Sequence, residues 1–172
     1  MANPDWTWLA DTYWMVLAPD LPALNFSPRG DALSWVVDQT VWHISGTRDG
    51  YLWGVASVLM TDPGDAPSGR RARPQHLSLL GTVTPSAQVQ LTFIPSDVPA
   101  DATTGLGRLV HQTDGWGFEM QMSTDRLRAR VLHYATMVQT RPGEPAWDAL
   151  PGIGLSVPQM LEGAVYPTFP AS

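Results

Sequence analysis

The stretch "WHISGTRDGYLWG" at 42–54 places a histidine beside a tryptophan, across an Arg-Asp-Gly turn from Tyr51. An imidazole with an ordinary pKa of about 6.5 both gives and takes protons near neutral pH. His43 and His133 are therefore candidates for general acid and base, if both face one interior. The alternative for each is a hydrogen-bonded histidine in a core or at a rim. Arg108 lies in "TTGLGRLVHQ", where alternation puts it with Leu106 and Val110, opposite Gly105 and Gly107. A buried guanidinium needs a partner, so Arg108 either clamps a ligand carboxylate or phenolate or pairs with an internal Asp. Tyr51 either orients a substrate or is a hairpin-edge aromatic. Glu119 points outward on the same alternation and becomes a catalytic candidate only if the register shifts by one residue.

What the chain lacks narrows the chemistry further. All ten basic residues are Arg, which removes Schiff-base lysines and phosphate-loop lysines. Without Cys there is no thiolate nucleophile, disulfide or cysteine-bound metal. His43, His76, His111 and His133 have no H-x-H or H-x-x-x-H spacing, and no dinucleotide or nucleophile-elbow motif occurs. No metal and no cofactor are expected. A formal net charge of −6 argues against nucleic acid as a partner. The runs Arg70, Arg71, Arg73 and Arg126, Arg128, Arg130 read as solvated surface. No apolar run of about 18 residues is present, so no membrane partner is expected. The start "MANPDWTW" has no charged region followed by an apolar one, and the expected location is cytoplasmic.

The elements that must position these residues read as mainly β. "NPDWTWLADTYWMVLAP" has apolar residues at helical spacing and predicts an N-terminal helix over 5–18, capped by Asp5 and stopped by Pro19. From 32 to 139 the period changes to two. Strands are expected over 32–37, 39–45, 51–60, 76–84, 87–94, 103–111, 115–123 and 126–139, the first two forming either two strands or a single bent one. "TRDGY" and "TDGW" suit type I turns with a Gly bulge, and "TPSA" is short. Consecutive hairpins form an antiparallel meander, and closure removes its edges. The expectation is thus an up-and-down β-barrel of about eight strands with the helix packed on it. The segment 61–75 reads as a long surface loop that can cover a barrel mouth. The tail 141–172 is irregular apart from a short helix near 157–163, where Ser156 and Gln159 have capping-box spacing. The whole chain, 1–172, reads as one domain. A barrel of this kind resembles the calycin type, small barrels that hold apolar ligands. The resemblance is architectural: the lipocalin Gly-x-Trp signature is absent, so it implies no residue role.

Strand parity then assigns faces. Pairing about the 48–50 turn sets His43 opposite Val55. The His43 face, which mixes His, Ser and Tyr with Trp, is expected to look inward, and the Trp42 face to pack outward under the helix or a second subunit. His133 is expected inside with Ala135 and Met137. Trp35, Trp53, Phe93, Trp116, Phe118, Met120 and Met122 would supply an apolar binding surface, with His43, His133, Arg108 and Tyr51 as its polar groups. The function this predicts is a cofactor-independent lyase, isomerase or cyclase acting by acid/base chemistry on a hydrophobic, aromatic small molecule. The alternative is a non-catalytic, lipocalin-like carrier. Eight Trp and two apolar sheet faces further predict a homodimer.

Overall fold

The computed structural model describes residues 5–19, 21–61, 73–96, 101–125 and 130–169. Nine strands form a closed antiparallel barrel of eight positions: β1 (Thr12–Val16), β2 (Leu21–Phe26), β3 (Leu33–Arg48), β4 (Tyr51–Thr61), β5 (Gln75–Val83), β6 (Gln88–Pro95), β7 (Thr103–Gln112), β8 (Gly115–Asp125) and β9 (Arg130–Thr140). From β3 to β9 each strand pairs with the next, as the meander reading expects. The extra strand arises because β1 and β2 share one position between β3 and β9. The register slips between Met15↔Val41 and Leu21↔Asp38, and Gln39 fills the break. Its amide donates to the carbonyls of Val16 and Pro151 at 3.2 and 2.9 Å.

The N-terminal helix expected over 5–18 is not formed. A 3-10 turn at Thr7–Leu9 ends at Asp11, which adopts φ 58°, and the chain enters β1. Thr12, Trp14 and Val16 point into the barrel, whereas Tyr13 and Met15 meet the C-terminal segment. A strand covered on both sides is apolar at nearly every position, and such a run imitates helical spacing. The 3-10 turn closes one end of the barrel. Trp8 lies tilted against Trp116 at 5.6 Å, Trp6 meets the same ring edge-on at 6.3 Å, and Leu9 is fully buried.

Residues 32–37 and 39–45 form one strand, β3, bulged between Ile44 and Gly46. The hairpin to β4 is tighter than a type I turn with a bulge. Arg48 pairs directly with Tyr51, and Asp49 and Gly50 both take positive φ, the mark of a two-residue I′ turn. β9 begins at Arg130. Arg126, Arg128, Arg70, Arg71 and nearly all of the 61–75 loop lie outside the described residues.

The interior is packed with large side chains set against small ones. Trp42, Trp14, Phe118, Met120 and Met137 are essentially fully buried. They face Ala56, Gly54, Gly105 and Gly107. A Cβ at Gly54 would strike the carbonyl oxygen of His43, and one at Gly107 would strike Glu119 O and Met120 Sδ. The outer surface of β1, β3 and β4 is covered by the C-terminal segment. That segment carries α1 (Pro145–Asp148) and α2 (Val157–Leu161), the latter closed by the expected Ser156–Gln159 capping box. Leu150, Val157 and Met160 pack there on Met15, Val41 and Leu59.

Candidate functional site

At the end opposite the tryptophan plug, the first residues of β3, β5, β7 and β9 and the last of β4, β6 and β8 surround a mouth. A narrow cleft, part of it open to solvent, enters there. Trp42, Leu77, Phe93, Met122, Val58 and Met60 form its apolar wall, and Thr40, Gln75, Thr103, Thr124 and His133 its polar groups. Most of the polar groups are already engaged. Thr103 and Thr124 share a hydrogen bond at 2.6 Å, and Thr40 Oγ1 donates to Asp38 Oδ1 at 2.9 Å.

His133 carries the main chemical interest. Its Nδ1 stands 2.9 Å from Asp38 Oδ2, with side-chain exposures of 4% and 0%. The contact is close enough for an ion pair but off the hydrogen-bonding direction, and both atoms lack an aligned partner. With Nδ1 turned to the carboxylate, Nε2 is the ring nitrogen left for a ligand. β-Alternation puts all this in place. Asp38, Thr40 and Trp42 are successive inward residues of β3, and His133 lies opposite Met122 across the β8–β9 ladder. Asp38 carried no signal in the sequence beyond its parity with Thr40 and Trp42, which the inverted reading of β3 concealed.

Three of the expected site residues, His133, Phe93 and Met122, meet in this cleft. Phe118 and Met120 lie deeper in the packed core, and Trp116 belongs to the opposite end. The other expected residues lie outside, and their inward orientation is corrected. His43 is on the outer face of β3, because Trp42 and Ile44 occupy the interior. Tyr51 is 63% exposed and Trp35 59%. Trp53 meets Phe169 of the C-terminal segment edge-on at 5.2 Å. Arg108 is an exposed surface residue whose Nε and Nη2 reach Glu119 Oε2 at 2.9 and 2.8 Å. The glycines, not Arg108 and Leu106, face inward on β7, since Met120 and Met122 need the room. Glu119 is outward, as its parity indicated.

His43 has its own polar setting on the outer face. Nε2 lies 3.0 Å from Asp11 Oδ1 and Nδ1 2.7 Å from Tyr166 Oη, and the Tyr13 ring stacks on the imidazole at 4.0 Å. Since a carboxylate only accepts, Nε2–H donates to Asp11 and a neutral imidazole accepts the Tyr166 hydroxyl. Burial, followed by the charge of Asp11, pushes the Tyr13 phenol above its usual range. For Tyr166 burial acts first, then Tyr13 and Asp11. The chain of bonds ties the C-terminal segment to the barrel wall. His76, also outside, meets the buried hydroxyl of Ser57 at 2.7 Å. Among the described residues no cluster of three His, Cys, Asp or Glu could hold a metal ion, and no helix is long and apolar enough to cross a membrane.

No family model, curated protein or solved structure matches the chain.

Proposed function

We propose that the barrel mouth binds a small hydrophobic, aromatic molecule and that the chain is a cofactor-independent enzyme of the lyase, isomerase or cyclase kind. The observation that carries this reading is the juxtaposition, in one cleft, of an aromatic and Met wall with His133, which the buried Asp38 backs at 2.9 Å. Apolar surface with a few convergent polar groups is the usual composition of a small-molecule site. A histidine with one ring nitrogen turned to a carboxylate is a suitable proton acceptor: Nε2 takes a proton from the ligand, Asp38 offsets the imidazolium charge, and the proton returns at a second position. Of the four polar residues expected to do chemistry, His133 alone retains that part.

The second reading is a carrier with the same cleft. It is favoured by the off-direction contact of Asp38 with His133, which a mere binding wall tolerates. Self-association belongs to the same proposal. Its support is the outward row of Trp35, Leu132 and Tyr134, each between 45% and 59% exposed.

Isothermal titration against small aromatic ketones, phenols and acids should find a ligand, and His133→Gln should keep its binding. Loss of proton exchange or turnover in that variant supports the enzyme. Binding without turnover in the wild type leaves the carrier, and failure of the whole panel to bind overturns the reading.

A further inference from the structure

Among the described residues, six buried side-chain polar atoms lack a hydrogen-bond partner, and three of them belong to the barrel mouth: Asp38 Oδ2, His133 Nδ1 and Trp42 Nε1. The first two answer each other at 2.9 Å. The indole N–H of Trp42 has no such counterpart. Its side chain is fully buried, Trp42 is one of the residues that line the cleft, and Phe93 and Phe118 pack on its ring at 5.4 and 5.6 Å. A buried indole N–H ordinarily finds an acceptor, because the donor has been taken out of water and gains nothing in exchange.

We infer that the cleft selects an uncharged aromatic molecule bearing one acceptor oxygen of the ketone or ester type, and that Trp42 Nε1–H donates to that oxygen. This rests on the cleft being the binding site. The apolar wall selects the ring and the unpaired donor selects the oxygen. The absence of charge follows from the surroundings. Among the described residues no Arg lines the cleft, the Asp38 carboxylate stands behind His133, and Arg108 is spent on Glu119 at the outer surface. A carboxylate ligand would meet the Asp38 charge, and among the described lining residues only His133 could offset it. A ketone also suits the proposed chemistry, since a donor on its oxygen makes the neighbouring C–H more acidic.

Three probes of one shape test this: acetophenone, ethylbenzene and benzoate, titrated by calorimetry against the full chain. Acetophenone should bind roughly five- to tenfold more tightly than ethylbenzene, the yield of one added hydrogen bond, and benzoate most weakly. In proton–nitrogen spectra the Trp42 indole signal should move downfield with acetophenone and not with ethylbenzene. Trp42→Phe, which keeps a ring and removes the donor, should equalise the two affinities; the wild-type indole shift decides the matter if that variant does not fold. Equal binding of acetophenone and ethylbenzene with an unmoved indole overturns the acceptor inference and leaves the cleft as a binding site. Tightest binding of benzoate overturns neutrality. If no probe binds, the inference falls together with the site.

Discussion

Asp38 and His133 approach to 2.9 Å inside the barrel mouth, one side chain wholly buried and the other nearly so. A pair this deep costs much desolvation, and what it returns depends on both members being present. His133→Ala should therefore destabilise the protein by about 3–5 kcal/mol, because it strands the Asp38 carboxylate. The double variant Asp38→Asn/His133→Ala should recover much of that loss, since no carboxylate is left stranded. Urea unfolding of wild type, both single variants and the double variant measures the coupling. Additive losses would show that the two residues do not act as a pair.

Arg108 tests the opposite case. Its guanidinium and Glu119 meet on the outside of β7 and β8, with side-chain exposures of 67% and 29%. Solvent screens such a pair, so Arg108→Ala should cost no more than about 1 kcal/mol. It should also leave ligand binding at the mouth unchanged. A tenfold loss of affinity in that variant, measured by titration, would place Arg108 back in the site.

The barrel and its meander were legible in the sequence because hairpin turns and period-two alternation are local signals. Parity also placed His133, Phe118, Met120 and Met122 inward correctly, since β8 alternates cleanly between these residues and Glu119 and Gln121. It failed on β3, whose two faces are both covered and which therefore has no polar side, and on β7, where the inward positions are the glycines Gly105 and Gly107 and the larger residues point out. On β3 the large-against-small pairing of Trp42 and Ile44 with Ala56 and Gly54 suggested an outer packing surface. A narrow barrel needs the same complementarity inside, and outside it the C-terminal segment gives His43 and Gln39 polar partners while His76 gives one to Ser57. The Asp38–His133 pair was not legible, because it joins two strands far apart in sequence through a register that only closure of the barrel establishes.

The tyrosines against His43 predict how the protein responds to alkali. Tyr13 and Tyr166 both have phenol pKa values raised above 10.0, chiefly by burial. The folded state then holds their protons more tightly than the unfolded chain does. Their contribution to stability is complete below about pH 10 and is lost as pH rises through the raised values. Phenolate absorbance should show two of the four tyrosines ionising late. Unfolding midpoints should fall over the same interval, and Tyr166→Phe should flatten that fall. A midpoint that stays constant while these tyrosines ionise would contradict the packing described for them.

Trp42 and His43, neighbours in sequence on opposite faces of β3, separate the barrel core from its outer strap. Trp42 is fully buried among Phe93, Phe118 and the cleft wall, so Trp42→Ala should cost about 3–5 kcal/mol and weaken binding at the mouth. His43 holds Tyr166 and Asp11 through its two ring nitrogens. His43→Ala removes both bonds and the stacked partner of Tyr13, yet leaves the barrel ladder untouched. Its loss should thus be local. Amide exchange should quicken in the residues after Met160, limited proteolysis should trim the chain near Tyr166 and Phe169, and mouth affinity should stay within about twofold of wild type. The reverse pattern, intact C-terminal protection with binding abolished, would mean that His43 reaches the ligand and that the His43 face of β3 is the inner one.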